Sequence, residues 1–223
     1  MSSPGRVADE AGVTLRLEGL TFDYGDGQVL RFPDCTVPRG QHCLIRGPSG
    51  CGKSTLLHLI AGLLPPTAGQ VTLAGTPLAG LRGAALDRFR GQHVGLVFQR
   101  LHLLPALTVR ENLLLAQSLA GLSAEPSRVE GLLERLGVAH RAGARPEALS
   151  FGQAQRVAIA RAVINSPTVI LADEPTSNLD DANTAEVLGL LRQEAERTGA
   201  SLVVATHDRR IREAFDQRLE LAP

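Results

Sequence analysis

Residues 47–54 read Gly-Pro-Ser-Gly-Cys-Gly-Lys-Ser, a full match to the phosphate-loop pattern GxxxxGK[ST]. Lys53 within this stretch is the only lysine of the chain, whose other permanently charged cationic side chains are all arginine. Lysine is a compact point charge that can reach between phosphates, whereas the planar fork of arginine is bulkier. The stretch therefore predicts a loop that binds phosphate groups.

The segments on either side of the loop have the pattern that such a loop requires. Gln41–Arg46 is a short apolar strand, and from Ser54 to Leu64 apolar residues recur at helical spacing until two prolines follow. Glycines allow successive backbone N–H groups to converge on the β- and γ-phosphates at the positive end of a helix. Lys53 is expected to bridge the terminal phosphates and the Ser54 hydroxyl to ligate Mg²⁺. The candidate nucleotide-binding residues here are Gly47, Pro48, Ser49, Gly50, Cys51, Gly52, Lys53, Ser54 and Thr55.

A second candidate site lies far downstream, where the apolar run Val169–Ala172 ends in Asp173 and Glu174. Such a run is typical of a buried parallel strand, and the carboxyl ends of parallel strands face the ligand crevice of an open α/β sheet. Asp173 suits a role with Mg²⁺, and Glu174 suits orienting or deprotonating the attacking water. A surface acidic pair that caps the next helix is the weaker interpretation, because Pro175-Thr176 follows at once. The run 201–205 predicts another strand, which would bring His207 to the same crevice.

The N-terminal part has strand-like alternation in Val13–Leu20 and Gln28–Val37, with a turn at residues 25–27. A hairpin turn at residues 38–40 would place Cys35 directly opposite Cys43 on paired strands. We interpret these two cysteines as reduced core thiols, and Cys51 as a small residue that fits its loop. The charged stretch 192–197 is interpreted as the solvated face of a helix.

Composition limits the classes of function. The chain has 223 residues with 23 cationic and 23 acidic side chains, and this balance lacks the electrostatic footprint of a nucleic-acid binder. No apolar stretch approaches the ~18 to 20 residues of a membrane-spanning helix, so we expect a protein that is soluble on its own. Residues 1–12 are small and polar, which predicts a flexible N-terminus.

Several further motifs follow in a fixed order. The chain has Leu149-Ser150-Phe151-Gly152-Gln153, then Ser177-Asn178-Leu179-Asp180 after the acidic pair, and His207 near the end. Gln99 follows the predicted strand 94–98, and Tyr24 lies upstream of the phosphate loop. With these motifs the chain resembles an ATP-binding cassette nucleotide-binding domain over essentially its whole length.

The resemblance implies an α/β P-loop NTPase fold with a RecA-like core, an N-terminal antiparallel β subdomain and an inserted α-helical subdomain. One domain would span residues 13–223, with its core at about 13–99 and 164–223 and the helical lobe at about 100–163. ATP and Mg²⁺ are the implied ligands. The resemblance also implies that Tyr24 stacks on adenine, that Gln99 senses Mg²⁺ and that His207 is the switch histidine.

The implied enzyme is an ATP hydrolase that works as a head-to-tail dimer of two identical chains. Each ATP would lie between one chain's phosphate loop and the other chain's signature, which comprises Ser150, Phe151, Gly152 and Gln153 after Leu149. Ser150 is a good N-cap, so the helix that it begins directs free N–H groups outward toward a γ-phosphate. Most family members have glycine where this chain has Phe151. We expect Phe151 to be right-handed helical, because a left-handed backbone would cost a phenylalanine ~1 to 2 kcal/mol.

Within the family, the segments 101–108, 175–180 and 205–208 resemble the lipoprotein-releasing and macrolide-efflux branch. The implied partner is a membrane permease, which would hold the chain at the cytoplasmic face of the inner membrane. The apolar, proline-interrupted segment Leu101–Leu107 after Gln99 is where such a permease is expected to dock, with Leu103 or Leu104 turned outward.

Two other classes share these motifs. A regulatory ATPase of the cell-division type would signal through a membrane partner without transport, and a measured substrate flux would distinguish it. DNA-repair and chromosome-structure ATPases carry long coiled-coil insertions, whereas the segment between the two nucleotide motifs here has no sustained heptads. The transporter subunit is therefore the preferred interpretation, and the regulatory ATPase is the alternative.

Overall fold

The computed structural model describes residues 12–25, 27–177 and 179–222. The predicted flexible N-terminus lies outside the described residues except for Gly12. Asp26 of the predicted turn and Asn178 of the motif at residues 177–180 also lie outside them.

The strands in the described part of the chain form two sheets of opposite character. They are β1 (Val13–Asp23), β2 (Val29–Arg31), β3 (Cys35–Pro38), β4 (Cys43–Arg46), β5 (Ala68–Leu73), β6 (Thr76–Pro77), β7 (Val94–Val97), β8 (Val169–Asp173), β9 (Ser201–Thr206) and β10 (Gln217–Glu220). In the antiparallel sheet β1 pairs with β2, β3 and β5, and β5 pairs with β6. The parallel sheet has the order β10-β4-β9-β8-β7. The predicted α/β fold with an N-terminal antiparallel sheet is confirmed.

Six α-helices pack around these sheets in the described ranges. They are α1 (Lys53–Ile60), α2 (Gly83–His93), α3 (Val109–Leu119), α4 (Pro126–Arg135), α5 (Phe151–Val163) and α6 (Asp181–Thr198). The helices α3, α4 and α5 pack on one another through a buried apolar cluster that includes Leu113, Leu132 and Val157. No helix in the part of the chain that the structure describes is both long and apolar enough to cross a bilayer.

The parallel sheet places the ends of three strands side by side. Every residue of β8 and β9 is buried, as expected for strands covered on both faces. Arg46 pairs in register with Thr206, and Asp173 pairs with Ala205. Because β4, β8 and β9 run parallel, the segments that follow them meet at one edge of the sheet.

Several predicted elements differ from the observed ones. The predicted strand Gln28–Val37 is two strands, because Pro33 lacks an N–H and the neighbouring Asp34 carboxylate accepts a hydrogen bond from the Gly19 N–H at 2.7 Å. The predicted helix 54–64 begins at Lys53 and ends at Ile60. The helix α2 and the strands β5 and β6 had no counterpart in the prediction.

The strands on either side of residues 38–40 do not pair with each other, so the condition for a hairpin that contains Cys35 and Cys43 is not met. The strand β3 pairs with β1 in the antiparallel sheet, whereas β4 lies between β10 and β9 in the parallel sheet. The chain therefore leaves one sheet at Pro38 and enters the other at Cys43. The two thiols nevertheless lie close together, because Cys35 packs against the buried apolar cluster that contains Cys43.

The interpretation of residues 192–197 as a solvated helix face is also wrong at two positions, Glu194 and Ala195, which are buried. Glu194 on α6 is only 3% exposed. Its carboxylate accepts hydrogen bonds from Arg197 at 2.9 Å and from Arg135 of α4 at 3.4 Å. This buried ion-paired group ties the helical lobe to the core.

Candidate functional site

The phosphate loop connects β4 to α1. At some of its positions, only glycine fits the backbone conformation or the space that is available. Gly52 has a φ of 93° and is the N-cap of α1. A Cβ atom at Gly52 would lie 2.7 Å from Leu30, and one at Gly47 would lie 2.8 Å from the Leu221 carbonyl oxygen. The glycines therefore let the loop fold tightly over the start of α1, where backbone N–H groups are available to an anion.

Lys53 lies beneath the loop and is 7% exposed. Its Nζ donates hydrogen bonds of 2.9 Å to the carbonyl oxygens of Gly47 and Pro48. The same Nζ lies 3.8 Å from Oε1 of Glu174. The single lysine of the chain thus places its charge between the phosphate loop and the acidic pair.

Asp173 ends β8 with a carboxylate that is almost completely buried. Burial raises the pKa of Asp173, while a hydrogen bond from the Ser54 hydroxyl opposes that increase. Its Oδ1 has no hydrogen-bond partner among the described residues. A buried carboxylate oxygen without a partner, next to a serine hydroxyl, provides the hard oxygen ligands that Mg²⁺ prefers.

Glu174 has a strained backbone and a firmly held carboxylate. Its φ of 46° lies in the left-handed region, which residues other than glycine rarely adopt. Oε2 accepts a hydrogen bond from the Thr206 hydroxyl at 2.7 Å, and Oε1 accepts one from the His207 N–H at 3.2 Å. The His207 ring Nδ1 lies 2.8 Å from the same Oε1. Three groups at the end of β9 therefore fix the direction of this carboxylate.

Lys53, Glu174 and His207 line one cavity of about 300 Å³, whereas Asp173 is not among its lining residues. Its walls are formed by Tyr24, Ser49, Gly50, Gly52, Lys53, Ser54, Thr55, Gln99, Glu174 and His207. The Tyr24 hydroxyl shares a short hydrogen bond with the Thr55 hydroxyl, and its ring packs edge-on against Phe22 with 5.0 Å between centroids. The ring is 52% exposed, so one of its sides is available to a ligand.

The signature residues lie away from this cavity, at the beginning of α5. Ser150 is the N-cap of the helix: its hydroxyl accepts a hydrogen bond from the Gln153 N–H at 3.3 Å, and the Gln153 side chain accepts one from the Ser150 N–H at 3.1 Å. Phe151 is the first helical residue and has no positive φ, as predicted. Its ring is 57% exposed. Within one chain, therefore, Ser150, Phe151, Gly152 and Gln153 do not line the phosphate-loop cavity.

Two hydroxyl groups in the site were missed by the sequence analysis. Thr206 holds Glu174, and Thr176 is fully buried and donates a hydrogen bond to Asp208 at 3.2 Å. Thr206 and Thr176 lie next to His207 and Pro175 in the sequence, but nothing in their local pattern indicated these contacts. Only the packing of β8 beside β9 brings the two segments together.

The segment Leu101–Leu107 is held in place by two polar side chains, the partly buried Arg161 and the buried Asn112. Arg161 of α5 donates hydrogen bonds to the carbonyl oxygens of Leu101 and His102. Asn112 of α3 accepts a hydrogen bond from the Leu104 N–H at 2.8 Å and donates one to the Leu104 carbonyl at 3.2 Å. The Leu104 side chain is 45% exposed, whereas Leu103 packs against the core. The expected outward turn of one of these two leucines therefore falls on Leu104.

An apolar cavity of about 470 Å³ lies between α2, α3 and α5. We call this cavity the lobe groove. The apolar residues that define it are Leu63, Leu96, Phe98 and Leu119, and polar residues line the rest of its wall. Leu119 is 70% exposed and Leu63 is 41% exposed. Phe98 immediately precedes Gln99 of the nucleotide cavity, so the groove and the cavity adjoin along the chain.

Comparison with known proteins identifies two kinds of relative. The lipoprotein-releasing system ATP-binding protein LolD of Xanthomonas oryzae pv. oryzae is 40% identical over 223 residues, covering 97% of this chain and 91% of that protein. The macrolide export ATP-binding/permease protein MacB 1 of Aeromonas hydrophila is 45% identical over 213 residues. That match covers 93% of this chain but only 33% of MacB 1, so the chain spans about a third of that protein.

Solved structures agree with these relatives. A dimeric structure of the ABC transporter cassette MJ0796 superposes with a TM-score of 0.82 at 33% identity, covering 93% of this chain and 94% of that one. A structure of the same cassette in a post-hydrolysis state, bound to ADP and Pi, superposes equally well. A family model described as ABC transporter matches residues 30–177. The chain thus belongs to the ABC transporter family and has the fold of its ATP-binding cassettes.

Proposed function

We propose that this chain is the ATP-binding subunit of an ABC transporter of the lipoprotein-release or macrolide-efflux type. It hydrolyses ATP to ADP and phosphate in a head-to-tail dimer, and this drives a membrane permease. The observation that carries the proposal is the position of the Glu174 carboxylate, which faces the phosphate-loop cavity between Lys53 and His207. The named relatives support the branch.

Binding of ATP follows from the chemistry of the cavity. The N–H groups at the start of α1 and the Nζ of Lys53 bind the phosphates, which replace the carbonyl oxygens of Gly47 and Pro48 as partners of that Nζ. The half-exposed ring of Tyr24 offers a face on which adenine stacks. Its hydrogen bond to Thr55 fixes that ring relative to α1.

Ser54, Asp173 and Gln99 would hold Mg²⁺. Ser54 and Gln99 line the cavity, and Ser54 also interacts with the Asp173 carboxylate, whose Oδ1 has no hydrogen-bond partner among the described residues. When bound, Mg²⁺ neutralises part of the phosphate charge that develops during transfer. A bound cation would also favour the ionised form of Asp173, whose burial otherwise disfavours it.

Glu174 then acts as the general base for the attacking water. Thr206 and His207 bind its carboxylate and aim it, so that it accepts a proton from a water positioned at the γ-phosphate. Lys53 stabilises the negative charge that the transferred phosphoryl group carries. His207 is 59% exposed in its side chain and can reach the γ-phosphate as well as Glu174.

A second copy of the chain completes the site. The N-terminus of α5 lies outside the cavity of its own chain, and its free N–H groups carry a partial positive charge. In a head-to-tail pair, Ser150 and Gly152 of one chain face the γ-phosphate held by the other. The exposed ring of Phe151 is then buried between the two chains.

A concentration series tests this arrangement. Because two chains form each complete site, phosphate release per chain is expected to rise with protein concentration before it reaches a plateau. The specific activity should fall about tenfold for each tenfold dilution well below the dissociation constant of the dimer. Phosphate release from Mg²⁺-ATP measures it, with ADP quantified in parallel. A specific activity that stays constant over several decades of dilution would contradict a site shared between chains.

The permease is proposed to dock at the lobe groove together with Leu104. This surface is apolar, exposed and adjacent to Gln99, so a docked helix would contact a segment that also reaches the nucleotide cavity. Arg161 and Asn112 give that segment a fixed conformation. Movement at the γ-phosphate is thereby transmitted to the docking surface through rigid contacts.

The variant Leu104→Glu is expected to lose membrane association. A carboxylate would have to be buried unpaired against the permease, which costs several kcal/mol and corresponds to a more than tenfold weaker complex. The measurement is the fraction of tagged chain that sediments with membranes from cells of the source organism.

The matched control is Val29→Glu, since Val29 is also 45% exposed but lies on the antiparallel sheet. We expect this control to sediment like the unsubstituted chain. Equal sedimentation of the Leu104→Glu chain would place the docking surface elsewhere.

A further inference from the structure

Cys35 and Cys43 form a pair of thiols at the place where the two sheets meet. Cys43 begins β4 and is 1% exposed, whereas Cys35 lies in β3 and is only partly buried. Cys35 packs against the buried apolar cluster that contains Cys43, and each thiol shifts the pKa of the other. Both are free thiols in this structure. A disulfide requires two sulfur atoms that lie close together. Here the packing of two different sheets brings them together.

Gln217 holds this pair from the side of β10. It pairs in register with Cys43, and its Nε2 donates hydrogen bonds to the Thr36 carbonyl at 2.8 Å and to the Cys35 sulfur at 3.6 Å. A donor on the sulfur stabilises the thiolate form. The amide therefore both positions Cys35 and favours its reactive state.

A cavity lies beside Gln217, the residue that contacts this sulfur. It has a volume of about 670 Å³, opens to solvent and is lined by Thr36, His42, Arg192 and Gln217 among others. Thr36 is the chain neighbour of Cys35, and Gln217 contacts its sulfur directly. The wall carries one residue of each charge, Arg192 and Asp216.

The two thiols differ in acidity in the direction that thiol–disulfide exchange requires. The hydrogen bond from Cys43, helped by the one from Gln217, lowers the pKa of Cys35 against the opposing effect of burial. The hydrogen bond to Cys35 and burial raise the pKa of Cys43. Cys35 is both the more accessible and the more acidic of the two thiols, so the first attack is assigned to it.

We propose that Cys35 and Cys43 are a modification site at which an intramolecular disulfide forms by exchange with a low-molecular-weight disulfide of the glutathione class. The Cys35 thiolate attacks one sulfur of the reagent, which forms a mixed disulfide and releases one reagent thiolate. The Cys43 sulfur then attacks the Cys35 sulfur, breaks the mixed disulfide and releases the second reagent thiolate. The protein loses two electrons and two protons, and the reagent gains both as two thiols.

The position of the bond connects it to the nucleotide site. Residue 46 ends β4, and the phosphate loop begins at the next residue. A disulfide would link the antiparallel sheet, which carries Tyr24 near the end of β1, to the strand that leads into this loop. In the oxidised protein, a covalent bond would therefore connect the sheet next to Tyr24, the proposed adenine-stacking residue, with the strand that leads into the phosphate loop. Cys51, which lies in the loop itself, forms no part of the pair.

Peptide mapping of the full chain tests the proposal. The native protein is incubated with oxidised glutathione, quenched with acid and alkylated in denaturant. Trypsin cleaves after Arg31, Arg39, Arg46 and Lys53, so each cysteine falls on a separate peptide. The expected product is a disulfide between peptides 32–39 and 40–46 that dithiothreitol separates, with no such link to peptide 47–53.

Either of two results in the unsubstituted chain would overturn the proposal. One is complete alkylation of Cys35 and Cys43 at every reagent concentration. The other is glutathione that stays on Cys35 while Cys43 remains alkylated. Both would show that the second exchange step does not occur in the folded protein.

Single substitutions separate the two steps. With Cys43→Ala the mixed disulfide is expected to accumulate on peptide 32–39, whereas with Cys35→Ser neither that adduct nor the linked peptides should form. Failure of Cys43→Ala to trap the adduct would contradict the assigned order of attack. The map of the unsubstituted chain decides the proposal even where a substitution at the buried Cys43 prevents folding.

Discussion

The variant Glu174→Gln is expected to bind ATP almost as tightly as the unsubstituted chain and to hydrolyse it ~10² to 10⁴ times more slowly. The amide keeps the shape of the side chain and still accepts a hydrogen bond from Thr206, but it no longer takes a proton from water. Phosphate binding depends on the loop and Lys53, which the substitution leaves unchanged. Phosphate release under single-turnover conditions measures the loss.

The matched control for this variant is Glu196→Gln, an exposed residue on α6 far from the cavity. It is expected to hydrolyse ATP at the normal rate. Normal turnover by the Glu174→Gln chain would show that Glu174 is not the base. His207, whose ring nitrogen lies 2.8 Å from the Glu174 carboxylate, would then be the candidate.

The variant Lys53→Ala is expected to lose ATP binding itself, by about 10²-fold or more. The substitution removes the one lysine charge of the cavity, and a charge-assisted contact to phosphate of about 3 kcal/mol corresponds to that factor. It also leaves the carbonyl oxygens of Gly47 and Pro48 without the donor that they share. Equilibrium binding of a fluorescent ATP analogue measures the change.

Two further variants define what Lys53 contributes. Lys53→Arg keeps the charge but replaces a compact ammonium by a planar fork, and we expect it to bind ATP more weakly than the unsubstituted chain. Arg212→Ala, at an exposed position, is the control for a simple loss of charge and should bind normally. Wild-type affinity in a correctly folded Lys53→Ala chain would refute the phosphate-loop assignment.

The parts of the fold that local sequence encodes were predictable. The glycines and Lys53 of the phosphate loop are contiguous, and the apolar runs that form β8 and β9 need no knowledge of their partners. Asp173, Glu174 and His207 could be placed together because parallel strands end at a common edge. The N-cap at Ser150 and the helical Phe151 likewise follow from residues within one turn of each other.

The parts that depend on distant contacts could not be predicted. The sequence between Cys35 and Cys43 has the form of a hairpin, yet β3 finds its partner in β1 because the antiparallel sheet buries its apolar face there. Glu194 belongs to a charged run that is typical of a helix surface, but α4 brings Arg135 over it. The hydroxyl of Thr206 binds Glu174 from another strand, a contact with no local signal.

The central claim is that two copies of this chain enclose ATP between the phosphate loop of one and the signature of the other. Light scattering of the purified Glu174→Gln chain, with and without ATP in the absence of magnesium, tests it most directly. We predict a monomer without nucleotide and a dimer of twice that mass with ATP, which would also show that Phe151 is compatible with closure. A chain that binds ATP and remains a monomer would contradict the account.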